Sequence, residues 1–276
     1  MTDNRSNLFT SILNAADFLE SQGVDVSSAI KRRDPVEPGR RQKEKFEDEM
    51  FVIMMRYFRR TKKKVRTFFE EQFPDRKQVT PPLDLTLLLQ DPRLLAELLL
   101  WLTAAAESGI VLFELDIGFG ISSAANVTAA EWAGIHAGEL IEFLTTTQRD
   151  TIQSAISTFI ETPGMTIGET VNQLIGDKLF TEDRAMRIAV SEVTNTFSQA
   201  ERIAGEQLQT EFPEDVVMKT WFTNNDGLVC FICAPLHNTS LPIDEKFMNA
   251  KTGERDLDGP PGHVANCRCW RRNKMV

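Results

Sequence analysis

All four cysteines of this 276-residue chain lie between Cys230 and Cys269. The surrounding segment, from about Asn225 to Asn273, is rich in Gly, Pro and Asn. A stretch with so little apolar content does not fold firmly unaided and needs a staple. The pattern is Cys230-Phe231-Ile232-Cys233, about thirty residues, then His263-Val264-Ala265-Asn266-Cys267-Arg268-Cys269. A CxxC turn sets two thiolates on one side of a tight loop, ready for two corners of a tetrahedron. His263, Cys267 and Cys269 are candidates for the other two corners. His263 and Cys267, four apart, would share a helical face. Cys267 and Cys269 need a turn between them, because an extended strand would separate them by about 6.8 Å. The ligand candidates are therefore Cys230, Cys233, Cys267, Cys269 and His263, and the implied ion is a structural zinc with no open position. Two competing readings are a pair of disulfides and a CxxC redox pair. Secreted disulfide proteins usually spread their bridges through the fold, and no βαβ pattern precedes this CxxC. His237 reads as a loop residue and His136 as a satisfied histidine on a helix.

The rest of the chain reads as helical. Residues 1–41 form a lead-in, with Phe9, Ile12, Leu13 and Phe18 at helical spacing, and a linker containing Pro35, Pro38 and Gly39. A long helix is expected from Gln42 to Phe73, on a 3.6-residue apolar period. Asp91 followed by Pro92 opens a Leu-rich helix to Glu107, with Gly109 as its stop. Ile110–Ile117 reads as a strand or a further buried segment, and Gly118-Phe119-Gly120 as a loop with no nucleotide-binding context. Four helices are then expected: Thr128 to Leu144, about Thr147 to Glu161, Thr166 to Gly176, and Thr181 or Asp183 to Gln209. Short loops between them imply antiparallel packing. Val216 to Phe222 has strand composition, and Asn225-Asp226-Gly227 a turn signal. The expected fold is mainly α, with a helical body at 42–212 and a small C-terminal α+β module at 213–276 stapled by the Cys/His cluster.

The net charge of −9 conceals an asymmetry. Residues 31–80 carry 16 basic and 9 acidic groups, and the other 226 residues carry 15 and 31. Arg56, Arg59, Arg60, Lys62, Lys63, Lys64 and Arg66 crowd about three helical turns, with Tyr57, Phe58, Phe68 and Phe69 interleaved or just beyond. Three uses are open: a solvated face, non-specific contact with DNA phosphate, or docking on an acidic protein surface. The first residues lack the apolar core of a signal peptide. The most apolar run, Leu94 to Ala106, contains Glu97 and is shorter than the roughly 20 residues a bilayer requires. A soluble protein made in a reducing cytoplasm, with no membrane partner, is expected.

These motifs together resemble the phage Mu F-like minor head proteins, the phage head-morphogenesis family. The similarity rests on Trp221 in a strand, the Asp226-Gly227 turn, Cys230-x-x-Cys233 running into Ala234-Pro235-Leu236, and the closing run from Pro260 through His263 to Cys267-Arg268-Cys269. The preceding helix also resembles the family, through Arg184-Ala185, Ile188-Ala189, Glu192, Thr196 and Ala200, with Ser191 where the family usually has Thr. The likeness covers about residues 128–270. It implies a structural, non-enzymatic component of a tailed-phage head, present in few copies inside the virion and in the host cytoplasm during assembly. Such a protein would act beside the portal protein and other head proteins in procapsid assembly and DNA packaging or delivery. On the residues alone, Arg184 and Arg187 read either as surface charge or as a buried link to the Cys cluster. The alternatives in function are a metal-dependent nuclease and a zinc-stabilised nucleic-acid-binding protein. The nuclease reading lacks a His-Asn-His set or clustered carboxylates beside the CxxC.

Overall fold

A computed structural model describes residues 37–72, 85–121, 123–162, 166–176, 178–224, 229–262 and 267–276. The expected lead-in helix in residues 1–30, the turn at Asn225–Gly227 and His263 all lie outside the described residues. The elements are α1 (Arg40–Gln72), α2 (Thr86–Leu89), α3 (Pro92–Ile117), α4 (Ser123–Glu161), α5 (Ile167–Gly176) and α6 (Glu182–Glu211). They are followed by β1 (Val217–Phe222), β2 (Thr239–Pro242), β3 (Phe247–Met248), β4 (Arg255–Leu257) and β5 (Trp270–Met275). Gly39–Val276 is one compact unit. The protein is mainly helical, with a small C-terminal sheet region.

Helix α1 begins at Gly39, whose φ of 66° is the left-handed conformation glycine adopts freely. Leu112 of α3 fills the space a Cβ would need there. The buried stripe of α1 is Met50, Met54, Tyr57, Phe58, Thr61, Val65 and Phe69, so the aromatic residues near the basic segment are mostly core. Asp91 caps α3 as expected, accepting from Arg93 N at 3.1 Å and Leu94 N at 3.3 Å. The same carboxylate accepts from Arg60 Nε at 2.7 Å, which ties α1 to the start of α3.

Two sequence expectations fail here. Gly109 does not stop α3, which runs on through Ile110–Ile117 to a left-handed C-cap at Gly118. A Cβ on Gly109 would lie 2.5 Å from the Ala200 Cβ, so this glycine permits close approach of α3 and α6. The extended α3, with 26 residues, is long and apolar enough by length and composition to cross a membrane, although 44% of its most apolar window is buried in the fold. The helices expected at 128–144 and 147–161 are one, α4, of 39 residues. Thr145 and Thr147 inside it donate to the carbonyls of Ile141 and Phe143 at 2.8 and 2.9 Å. Threonine hydroxyls bonded back in this way ride within a helix rather than start one. Ala125, Ala129, Ala133 and Ala137 line its buried face.

Other expectations hold. Thr166 and Glu169 form a reciprocal capping box at α5: Glu169 accepts from Thr166 N at 2.7 Å, and Thr166 Oγ1 accepts from Glu169 N at 3.1 Å. The carboxylate of Glu169 is held below its ordinary pKa by these bonds. Thr181 caps α6 through Arg184 N at 3.3 Å. His136 is satisfied, with Nε2 2.6 Å from Glu192 Oε2 and its ring stacked on Trp132 at 4.8 Å.

The sheet has the order β2-β1-β5, antiparallel throughout, and pairs Trp221 with Thr239 on one side and Arg271 on the other. A second, two-stranded sheet joins β3 to β4. Helix α6 buries Ala200, Ile203, Ala204 and Leu208 together with Val217 of β1 and Ile243 beyond β2, so it serves both the helical core and the sheet. Gly109→Val should destabilise the chain by about 1–3 kcal/mol through overpacking against Ala200, read as a lower urea midpoint. An unchanged midpoint would show that the α3–α6 approach is not tight.

Candidate metal centre

The sulfurs of Cys233, Cys267 and Cys269 come together from two separate stretches of chain. Cys233 ends the CxxC and leads into the 3₁₀ turn Ala234–Leu236. Cys267 and Cys269 lie just before β5. Their three sulfur atoms lie within 4.8 Å of one another, and all three residues are buried. No disulfide joins any of the four cysteines. The Cys233 and Cys267 sulfurs are 3.9 Å apart. That is far beyond a disulfide bond of about 2.05 Å. It is close to the edge of a tetrahedron with Zn–S bonds of about 2.3 Å, which is about 3.8 Å.

Local structure explains the convergence. Trp221, fully buried in β1, packs edge-on to Phe247 at 5.2 Å between ring centres and forms one apolar cluster with Cys233, Leu236, Cys267 and Cys269. Gly262 lets the chain pass beside the site, since a Cβ there would stand 3.1 Å from the Cys233 sulfur and 3.0 Å from Ile232. Residues 267–269 turn enough to place both sulfurs in the cluster, as the two-residue spacing requires.

Electrostatics sharpen the picture. Three buried thiols this close share protons. The Cys267 thiol is lowered to about 3 by hydrogen bonds from the Cys233 and then the Cys269 thiol, with backbone bonds from Cys269 and Gly262 adding to the effect. Cys233 is raised, first by its bond to Cys267 and then by the bond to Cys269 and by burial. For Cys269 the bond with Cys233 lowers the value, but the bond with Cys267 and burial outweigh it and push it up to about 12. One thiolate is thus already favoured, and a bound cation would favour the other two.

Cys230 falls outside the set of three. Its sulfur accepts the Cys233 backbone N–H at 3.4 Å, at the margin of the same cluster. The CxxC therefore turns as expected, with Cys230 as the nearest sulfur to complete a fourth corner. His263, the other candidate, lies outside the described residues. His237 sits in a loop, as expected, and its Nδ1 accepts from Thr223 N at 3.1 Å.

The basic segment divides. Arg60 pairs with Asp91 and, at 3.5 Å, with Glu97. Lys64 donates to the Gln90 carbonyl at 2.7 Å, and Lys62 is half-buried. Arg56, Arg59, Lys63 and Arg66 are exposed.

Sequence reasoning missed the residues that fix the module to the helices. The Thr194 hydroxyl of α6, buried, donates to the Cys267 carbonyl at 2.5 Å. This is the polar link between helix and cluster, made by a neighbour of the residues suspected. Arg184 instead donates to the Leu179 carbonyl at 2.8 Å, and Arg187 pairs with Asp183. Arg272 grips Asp116 of α3 through two bonds of 2.7 and 2.5 Å. Arg271 is buried, donating to Asn273 Oδ1 at 2.8 Å and the Asp258 carbonyl at 3.0 Å. Asn273 Nδ2 donates to the Glu201 carbonyl at 2.5 Å, over Gly205, where a Cβ would not fit. The available signal was the polar residues at core spacing on α6 (Thr194, Ser198, Glu201) and the Arg-Asn pair within a strand.

Glu201 keeps some surface as a residue, but its Oε2 is buried with no hydrogen-bond partner among the described residues. Burial raises its pKa to about 7, against the opposing charges of Arg271 and Lys43.

Comparison with known proteins finds no matching family model, no matching curated protein and no matching solved structure.

Two outcomes follow from this geometry. Chain purified under reducing conditions should carry about one zinc per molecule, and Cys267→Ser should lose it. An absence of both metal and titratable free thiols would instead report disulfides. The second outcome concerns pH. A carboxyl raised from 4.5 to about 7 contributes stability that is fully present below about 4.5, declines as pH rises to about 7, and is gone above that. Glu201→Gln, permanently neutral, should therefore raise Tm at pH 8 by about 7 °C relative to the parent and change it little at pH 4.5. Equal effects at both pH values would contradict the assignment.

Proposed function

We propose that this chain is a structural protein of a tailed-phage head, a minor component whose C-terminal module is held by a zinc ion. The observation that carries the reading is the convergence of Cys233, Cys267 and Cys269, tied by Thr194 to α6. The cysteines and α6 are the two segments on which the resemblance to the head-morphogenesis family rests. Cys233, Cys267, Cys269 and Cys230 would hold the ion. When bound, zinc supplies a positive centre that keeps all the sulfurs as thiolates and closes the loop between β1 and β5. An all-sulfur donor set with no open position suits a staple and not the activation of water. Its partners would be the portal protein and other head proteins, with the chain inside the shell and in the host cytoplasm before assembly.

The nuclease alternative has less support, since the cluster brings together thiols and no carboxylate or imidazole among the described residues. The test is made on particles. Quantitative mass spectrometry of purified phage heads from the producing host should find the chain at a few copies per particle, beside the portal protein. Its absence from heads, with recovery only in the soluble lysate, would overturn the reading.

A further inference from the structure

The structure sorts six of the seven cations of the basic segment into two groups with different work, and half-buried Lys62 belongs to neither. Arg60 and Lys64 hold α1 to the start of α3. Arg56, Arg59, Lys63 and Arg66 form a single line at i, i+3, i+7 and i+10, opposite the buried stripe of α1. All four are exposed. None makes an ion pair or hydrogen bond among the described residues.

We propose that this ridge is a sequence-independent phosphate-binding surface for duplex DNA. Ten residues of helix span about 15 Å, long enough for the four cations to meet several phosphates of one duplex at once. Three of its four cations are arginines, whose planar fork matches phosphate oxygens. Its apolar content decides against a protein partner. Only Val52, 43% exposed, extends the line at one end, whereas protein interfaces build around an apolar core depleted in charge. The other 226 residues carry 31 acidic groups against 15 basic ones. That negative balance disfavours DNA contact elsewhere, which leaves the basic segment as the favoured surface. The proposal does not depend on the metal centre or on a phage origin.

The experiment is a fluorescence-anisotropy titration of the full chain against two labelled 20-base-pair duplexes of unrelated sequence. Both should bind equally. Affinity should fall about 150-fold between 50 and 200 mM salt, as four phosphate contacts imply. The variant R56Q/R59Q/K63Q/R66Q should lose binding, while R40Q, an exposed arginine off the ridge, should retain it. If the quadruple variant does not fold, R56Q/R59Q and K63Q/R66Q should each halve the salt slope. Polyglutamate at matched charge should compete poorly. Binding that survives the ridge substitutions, a salt slope near zero, or polyglutamate competing as well as DNA would overturn the proposal, the last in favour of an acidic protein partner.

Discussion

Three sulfur atoms buried within 4.8 Å of one another impose the constraint on which the C-terminal structure depends. As separate thiolates they would repel strongly in a site that water does not screen. As thiols they must share protons, which favours one thiolate at Cys267 and opposes the others. A divalent cation would resolve the conflict by charge and by geometry together. The 3.9 Å separation of two sulfurs suits that resolution and leaves a disulfide unformed. Between Val229 and Cys269 the described chain forms only short elements, β2, β3, β4 and one 3₁₀ turn, with which to settle its path in any other way.

Helix α6 turns this local constraint into a global one. Its small residues Ala200 and Gly205 admit α3 on one side and Asn273 of β5 on another, while Thr194 reaches the Cys267 carbonyl. The sheet is thus set on the helical core by polar contacts just before β5, at Cys267, and within it, at Asn273, with Arg272 and Asp116 adding a third. Buried charge accompanies the arrangement. Arg271 is drawn down to about 10 by burial, against the pull of Glu201, and Lys219 to about 8 by burial and the nearby Arg271. These groups weaken the junction electrostatically, but Arg271 gives it one orientation through Asn273 Oδ1 and the Asp258 carbonyl, while Lys219 lies over the Phe247 ring.

Where a helix start is made by local chemistry, the residues announced it. Asp91-Pro92, Thr166 with Glu169, and Thr181 all cap as their types require. The same vocabulary misled where its alternative use is equally local. Thr128 with Glu131 and Thr147 with Asp150 have the composition of caps, yet they lie inside α4, where neighbouring threonines bond to carbonyls of the preceding turn. Gly109 reads as a stop, but its role depends on Ala200, which is distant in sequence. The cysteine spacing announced a shared site and even the turn between Cys267 and Cys269. It could not announce Thr194 or Gly262, because neither residue type signals anything until the chain has folded. The charge run likewise looked uniform, and only the contacts of Arg60 and Lys64 with the α2–α3 connection separated anchors from free cations.

The claim that the thiol cluster fixes the sheet to the helical body is tested most directly by hydrogen–deuterium exchange on the zinc-loaded chain before and after chelation. Amides of β1, β2 and β5 should lose protection when the ion is removed, while those of α1, α3 and α4 keep theirs. Unchanged protection across Val217–Met275 in the metal-free chain would contradict it.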